Sequence, residues 1–152
     1  MNKRYKHDLF EDKIYRAWET SGGFSPIENK NAKPFTIIMP PPNANDPLHV
    51  GHAMFVTVED ILIRYHRMLG EAALWLPGTD HAGIETQFVF EKKLKKKRLS
   101  RFDFDRETLY KKIWKYVQEN SGIAIEQMKK IGASADWSRY KFTLDKDIVK
   151  LV

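Results

Sequence analysis

The chain has 152 residues, of which 26 are Lys or Arg and 20 are Asp or Glu, so its formal net charge is +6. Hydrophobic residues make up 42%, which excludes intrinsic disorder, and the absence of Cys excludes disulfide scaffolds and cysteine-based zinc sites. No run approaches the roughly 18 apolar residues that a membrane span needs, and the N-terminus lacks the apolar core of a secretory signal. We therefore expect a cytoplasmic protein with one core and an anionic partner.

The excess positive charge lies in one short segment. Six of the seven residues from Lys92 to Arg98 are basic, and without them the chain has 20 basic and 20 acidic residues. The rest of the chain has no net charge, unlike a domain with a basic face throughout. We interpret the segment as the solvated end of a helix, with binding of a nucleic acid backbone as the alternative.

The first elements in chain order are a helix and a strand. A helix is predicted from His7 to Ser21, because apolar residues recur at helical spacing on one face, and Gly22-Gly23 ends it. The face consists of Phe10, Ile14, Ala17 and Trp18. The apolar, β-branched run from Phe35 to Met39 predicts a strand that is buried on both faces.

A parallel βαβ unit follows from the next segments. Pro40-Pro41-Pro42 ends the first strand, a helix is predicted from about His49 to Leu69, and Ala72 to Leu76 predicts a second strand. Strand, helix and strand within about 40 residues are typical of a parallel sheet. Ligands bind beyond the carboxyl ends of such strands, where the loops 40–52 and 77–83 are expected to meet. The predicted fold class is therefore α/β.

The rest of the chain is predicted to be mostly helical. Helices are expected over Ile84 to Lys97, over Arg106 to about Asn120 after an Asp105 cap, and over Ser121 to Ile131, where Gly132 ends the last of them. The turn from Asp136 to Arg139 is polar, and another helix is expected to open near Asp145.

His49-Val50-Gly51-His52 is the first candidate site. It lies at the predicted start of a helix, where unpaired amide groups attract phosphate. Both imidazoles can donate hydrogen bonds to phosphate oxygens, and Gly51 lets a base or ribose approach the backbone. A pair of surface or capping histidines, or a stray two-histidine metal site, is the alternative.

Several motifs in the same order resemble the class I aminoacyl-tRNA synthetases, and among them the valine-specific members. They are Met39-Pro40-Pro41-Pro42-Asn43, His49-Val50-Gly51-His52-Ala53, Arg64-Tyr65-His66-Arg67-Met68, Gly78-Thr79-Asp80-His81-Ala82-Gly83-Ile84 and Gly132-Ala133-Ser134-Ala135-Asp136-Trp137-Ser138-Arg139. The resemblance implies the first half of a Rossmann-like nucleotide-binding fold, preceded by an N-terminal helical segment and linker over residues 1–34. Residues 35–152 would then end near the start of the editing insertion.

The resemblance also implies roles for site residues. His49 and His52 match the catalytic histidines that contact the phosphates of ATP, and Gly51 matches the glycine beneath the adenosine. Pro40, Pro41 and Asn43 match residues that line the amino-acid pocket, while Asp80 matches the acid that holds the α-ammonium group of the substrate. His81 matches a position that could merely orient its loop.

The implied reaction joins valine to ATP with release of pyrophosphate and then transfers the acyl group to tRNA(Val). Mg²⁺ is expected to accompany ATP as its counter-ion, without a metal site or a tightly bound cofactor of the protein's own. The family implies a monomer and no membrane partner. A turn or cap aspartate is the alternative for Asp80.

Two departures from the family pattern stand out. Asp46 lies where the family commonly has glycine, and it adds a negative charge near the expected phosphate site. The lysine-rich second signature, the editing insertion and the anticodon-binding domain are not in this chain, so weak or no activity is expected of it alone. The alternatives are a nucleotide-binding module without ligase activity and a non-catalytic RNA-binding domain.

Overall fold

A computed structural model describes residues 4–151 of the chain. Its helices are α1 (His7–Thr20), α2 (Val50–Met68), α3 (Gly83–Lys96), α4 (Arg106–Lys130) and α5 (Lys146–Val149). Its strands are β1 (Pro34–Ile38), β2 (Ala72–Leu76), β3 (Gly78–Thr79) and β4 (Lys141–Phe142). None of the helices in this part of the chain is long and apolar enough to cross a membrane.

The chain divides into two compact units. The first contains the described residues up to Met39 together with Val50–Pro77 and Met128–Tyr140. The second contains Pro40–His49, Gly78–Gln127 and the described residues from Lys141 onward.

The predicted βαβ unit forms the centre of the first unit. β1 pairs with β2 in parallel, with Phe35 opposite Ala73 and Ile37 opposite Trp75. Trp75 is fully buried, and its indole Nε1 donates a hydrogen bond of 2.8 Å to Glu59 of α2. The element order and the strand bounds predicted from the sequence are confirmed to within one residue.

The predicted burial of β1 on both faces is wrong. Its side chains alternate between half-buried and exposed, and Ile38 is 72% exposed. The reason is that the sheet to which β1 belongs has two strands in the described residues, and α2 packs on both of them. Several apolar residues of α2, such as Met54 and Val58, are likewise exposed, while Val56 and Ile63 are buried.

Tyr15 anchors helix α1, and the predicted apolar face of the helix stays largely exposed. Phe10, Ile14 and Trp18 remain 43–51% exposed. The Tyr15 hydroxyl donates to the Ala133 carbonyl at 2.6 Å and accepts a hydrogen bond from the Trp137 indole at 2.7 Å. Burial raises the pKa of Tyr15 well above its usual value, so the phenol remains a neutral donor.

Two of the motifs quoted from the sequence bind each other in the first unit. Arg67 of α2 donates to the hydroxyl and the carbonyl of Ser134 at 2.6 and 2.8 Å, and also to the Phe24 carbonyl at 2.7 Å. Asp60 accepts hydrogen bonds from the Ser134 amide and hydroxyl, and Arg64 donates to the other Asp60 oxygen at 2.6 Å. These motifs therefore have a structural role.

The two helices predicted over residues 106–131 are one continuous helix, α4, so the predicted break at Ser121 is wrong. Ser121 is 6% exposed, and its hydroxyl lies 3.0 Å from the hydroxyl of Thr79, so this polar residue faces inward without ending the helix. Gly132, with φ +88°, ends the helical segment as predicted. The predicted Asp105 cap is confirmed, since its carboxylate accepts from the Thr108 amide at 2.9 Å.

Candidate functional site

The loops that follow β1 and β2 meet within the second unit. Asn43 and Asp80 form a parallel β-bridge, in which the Ala44 amide donates to the Asp80 carbonyl at 2.7 Å and the Asp80 amide donates to the Pro42 carbonyl at 2.9 Å. The rule that carboxyl ends of parallel strands share an edge predicted this meeting, and the structure confirms it. Two residues predicted to line one pocket are thus adjacent.

The Asp80 carboxylate is held through one of its oxygens. Thr143, just after β4, donates its hydroxyl to Asp80 Oδ1 at 2.9 Å. His81 Nδ1 lies 3.2 Å from the same oxygen. The Asp80 side chain is 34% exposed, so it can be reached by a solute.

The hydrogen bonds among these groups determine the imidazole tautomer. The Thr143 hydroxyl has a single proton, and the Asp80 carboxylate accepts it. His81 Nδ1 lies 2.7 Å from the Thr143 oxygen, so Nδ1 must carry a proton to donate there. The His81 amide also donates to that oxygen, at 2.9 Å. Asp80 therefore receives a directed donor from a hydroxyl that His81 keeps in place.

Asn43 is fixed by a second carboxylate. Its Nδ2 donates to Glu85 Oε2, in the first turn of α3, at 2.5 Å. Pro40 and Pro41 lie exposed in the same loop. Gly78 at the start of the second loop is required by packing, because a Cβ there would lie 2.9 Å from the Lys141 carbonyl oxygen. The loops thus have fixed backbone positions.

The histidine motif lies at the start of α2. His49 is exposed and directly precedes the helix, while Gly51 and His52 lie in its first turn and are half-buried. The His52 ring packs edge-on to Phe55, with ring centroids 6.0 Å apart. His49 belongs to the second compact unit, and Gly51 and His52 belong to the first.

The negative charge of Asp46 has a counter-ion within its own unit. Lys93 Nζ lies 4.0 Å from Asp46 Oδ1. The neighbouring Asn45 carbonyl accepts a hydrogen bond from the Tyr116 hydroxyl, which in turn accepts one from Lys93 at 2.6 Å. The unusual loop is thus tied to α3 and α4 by groups that the sequence alone did not connect with it.

Sequence reasoning missed two residues of this site, Thr143 and Glu85. Thr143 is 63 positions from Asp80 and reaches it because β4 pairs with β3, two strands too short to give a periodic signal. Glu85 could have been noticed as an acid at the start of a helix, although nothing in its spacing indicates Asn43 as its partner. No group of three or more potential metal ligands is present among residues 4–151.

Comparison with known proteins identifies the family of the chain. The sequence model of the family described as tRNA synthetases class I (I, L, M and V) matches residues 13–152. The chain belongs to this family. The family resemblance predicted from the sequence motifs is therefore confirmed.

Three similar relatives are named as valine–tRNA ligases. The chain is 48% identical to Valine--tRNA ligase of Treponema denticola over 100% of this chain and 17% of that protein. It is 48% identical to the Caulobacter vibrioides protein of the same name, over 97% of this chain and 16% of the relative. It is 50% identical to Valine--tRNA ligase, chloroplastic/mitochondrial 2 of Arabidopsis thaliana, over 93% and 15%. The chain spans about a sixth of the length of the curated relatives it matches.

A solved structure shares the fold. The crystal structure of a ternary LeuRS–tRNA–LeuAMS complex from Agrobacterium radiobacter K84 matches with a TM-score of 0.78 and 19% identity. The match covers 96% of this chain and 17% of that chain. The predicted α/β class, with parallel strands from the first half of a class I Rossmann-like fold, is confirmed.

Proposed function

We propose that the chain is the N-terminal part of a valine–tRNA ligase and contributes residues that bind valine and ATP for the formation of valyl-adenylate. The complete enzyme would pass the valyl group to tRNA(Val). The observation that carries the proposal is the bridge between Asn43 and Asp80, with the Asp80 carboxylate held by Thr143. The names of relatives 44–50% identical to the chain support the choice of valine.

Asp80 would bind the α-ammonium group of valine. Thr143 and His81 both contact Oδ1, so Oδ2 can be directed at a cation without loss of the loop's internal bonds. A charge-assisted hydrogen bond between carboxylate and ammonium is stronger than a neutral one, and partial removal of water strengthens it. Pro40, Pro41 and Asn43 would line the same pocket.

His49 and His52 would act on the nucleotide. Each imidazole can donate a hydrogen bond to a phosphate oxygen, and the first turn of α2 adds its unpaired amides and the positive end of the helix dipole. Gly51 would let the adenosine approach the backbone. Mg²⁺ would arrive bound to the phosphates of ATP, since the described residues assemble no carboxylate cluster for it.

The proposed step needs no nucleophilic side chain. A carboxylate oxygen of valine attacks the α-phosphorus of ATP, the new oxygen–phosphorus bond forms, and the bond to the bridging oxygen of the leaving pyrophosphate breaks. Asp80 would orient the valine, and the two histidines would stabilise the negative charge that develops on the phosphates. Alignment and charge stabilisation are therefore the chemistry this chain would supply.

Residues 1–34 would form an N-terminal helical segment and linker, and residues 35–152 the first half of the catalytic domain. The editing, anticodon-binding and second-signature parts would come from protein outside this chain. Weak or no aminoacylation by the isolated chain follows from that proposal. A monomer is proposed for the enzyme, as in the family expectation.

Pyrophosphate exchange tests the proposal against its alternative. The chain is mixed with valine, ATP and radiolabelled pyrophosphate, and the label that enters ATP is counted. Valine-dependent exchange above background that is lost in His49→Ala supports a part of a ligase. Measurable ATP binding without any exchange, and without binding of valine, supports a nucleotide-binding module without ligase activity.

A further inference from the structure

A basic groove lies in the second unit, between the end of α3 and the first half of α4. It encloses about 540 Å³, and its rim carries five exposed lysines. These are Lys93, Lys96, Lys97, Lys112 and Lys115, which we call the lysine groove. The first three belong to the segment that carries the net charge of the chain, while the other two come from a helix in which the sequence showed no basic cluster.

The positive charge of the lysine groove is largely uncompensated. Glu119 is the one acidic residue among those that line it, and it lies 3.8 Å from Lys115. Lys93 faces Asp46 at 4.0 Å. Within residues 4–151, no carboxylate forms an ion pair with Lys96, Lys97 or Lys112. Three ammonium groups therefore remain available to an external anion.

Aromatic rings form the floor beneath the lysines. Lys93 Nζ lies 4.3 Å from the centroid of Tyr116, and Lys112 Nζ lies 4.9 Å from the centroid of Phe104. Phe90 packs against Tyr116 with centroids 5.5 Å apart. The rings restrict the lysine stems and lower the entropy lost when a ligand orders them.

We propose that the lysine groove binds the phosphate backbone of RNA, and, on the proposed function, that of tRNA. The three uncompensated ammonium groups come from the end of α3 and from the first half of α4, and a ligand with several phosphates can pair with more of them than a single small anion can. Phe90, a half-buried ring that lines the same groove, offers a surface on which a base of a single strand can stack. An acidic peptide could satisfy the charges but would not stack on that ring.

The test compares two triple variants of equal charge change by fluorescence anisotropy with fluorescein-labelled tRNA, without ATP or valine. The groove variant is Lys96→Gln/Lys97→Gln/Lys112→Gln. The matched control is Lys13→Gln/Arg16→Gln/Lys30→Gln, three exposed residues of the first unit. Circular dichroism confirms that both variants fold as the unmodified chain does.

The groove variant should bind tRNA about tenfold or more weakly at roughly 100 mM salt, and the slope of log affinity against log salt should flatten by about two, since each lost phosphate contact removes about 0.7–0.9 from it. The control variant should keep most of the affinity. An equal loss in both variants overturns the proposal, because net charge alone would then explain the binding. The proposal is also overturned if polyglutamate binds the unmodified chain more tightly than the groove variant while tRNA binds both equally. That result would favour an acidic peptide as the ligand of the groove.

A second titration separates this proposal from the proposed function. The groove variant should bind N-valylsulfamoyl adenosine, an analogue of valyl-adenylate, as tightly as the unmodified chain does. If the analogue does not bind while tRNA binding still depends on the groove, the proposed function fails and the groove remains. If the analogue binds and the groove variant binds tRNA as tightly as the unmodified chain does, only the proposal for the lysine groove fails.

Discussion

A substitution of Thr143 tests directly whether its hydroxyl positions Asp80 in the proposed amino-acid pocket. Thr143→Val replaces the hydroxyl with a methyl group of similar size and removes the donor that lies 2.9 Å from Asp80 Oδ1. His81 also loses its acceptor at this position, for its amide at 2.9 Å and its ring Nδ1 at 2.7 Å. The carboxylate would then be free to rotate away from an incoming ammonium group.

The size of the effect follows from the bond that is lost. A hydrogen bond to a charged group contributes about 1.5–3 kcal/mol, and the 34% exposure of the Asp80 side chain places this one near the lower value because water replaces part of it. Since about 1.4 kcal/mol is tenfold in affinity, N-valylsulfamoyl adenosine should bind Thr143→Val about tenfold more weakly. The free energy of unfolding should fall by a similar amount, about 1.5 kcal/mol, because the folded chain loses the same hydrogen bond, while water can reach the His81 donors.

Isothermal titration calorimetry with a pair of ligands isolates this effect. The second ligand is the same analogue without its α-amino group, which has no cation for Asp80 to bind. Thr143→Val should weaken the first ligand and leave the second unchanged, and Thr143→Ser should restore the affinity. Equal weakening of both ligands, or no weakening of either, would show that Thr143 does not position Asp80 for an ammonium group.

Three further predictions concern the fold. Arg67→Gln should lower the free energy of unfolding in urea by about 2–4 kcal/mol, because it removes a half-buried cation that donates to Ser134, whereas an exposed Lys30→Gln control should change it by less than about 0.5 kcal/mol. The hydrogen bond from His66 at 2.5 Å lowers the pKa of Glu71 in the folded chain. The ionised Glu71 side chain therefore contributes stability above the ordinary glutamate pKa, and this stability is lost as the pH falls through the lowered pKa of the folded chain. The difference in Tm between the unmodified chain and Glu71→Gln should therefore shrink in acid, and a constant difference would contradict this. Gly122→Ala should stabilise the chain by about 0.5–1 kcal/mol in urea, since the residue lies inside a continuous helix with open space around it, and destabilisation would indicate the break that the sequence suggested.

The βαβ unit could be predicted because its signals are local. Apolar runs bounded by proline and glycine define β1 and β2, and the rule for carboxyl ends of parallel strands places Asn43 near Asp80. The exposure of Ile38 could not be predicted in the same way, because periodicity shows which residues are apolar and not whether another element covers them. The apolar faces of α1 and α2 illustrate the same limit.

Contacts between residues far apart in the chain could not be predicted from the sequence patterns. Ser121 was predicted to begin a new helix, yet α4 runs through it without a break, and its side chain is buried against Thr79. Tertiary packing here outweighs the low helix propensity of serine. Thr143 reaches Asp80 through a strand of two residues, which leaves no periodic trace. The lysine groove arises because α3 and α4 bring separate lysines together, and a count of charge along the chain cannot show that.

Titration of N-valylsulfamoyl adenosine into the chain and into Asp80→Asn tests whether Asp80 binds the α-ammonium group of valine. Asparagine keeps the shape of the side chain and removes the charge that would bind the α-ammonium group. We expect saturable one-to-one binding that falls about 100-fold in the variant, with the analogue lacking the α-amino group bound equally by both proteins. Equal binding of the complete analogue by both proteins, or no binding by the unmodified chain, would show that Asp80 does not hold the ammonium group of valine.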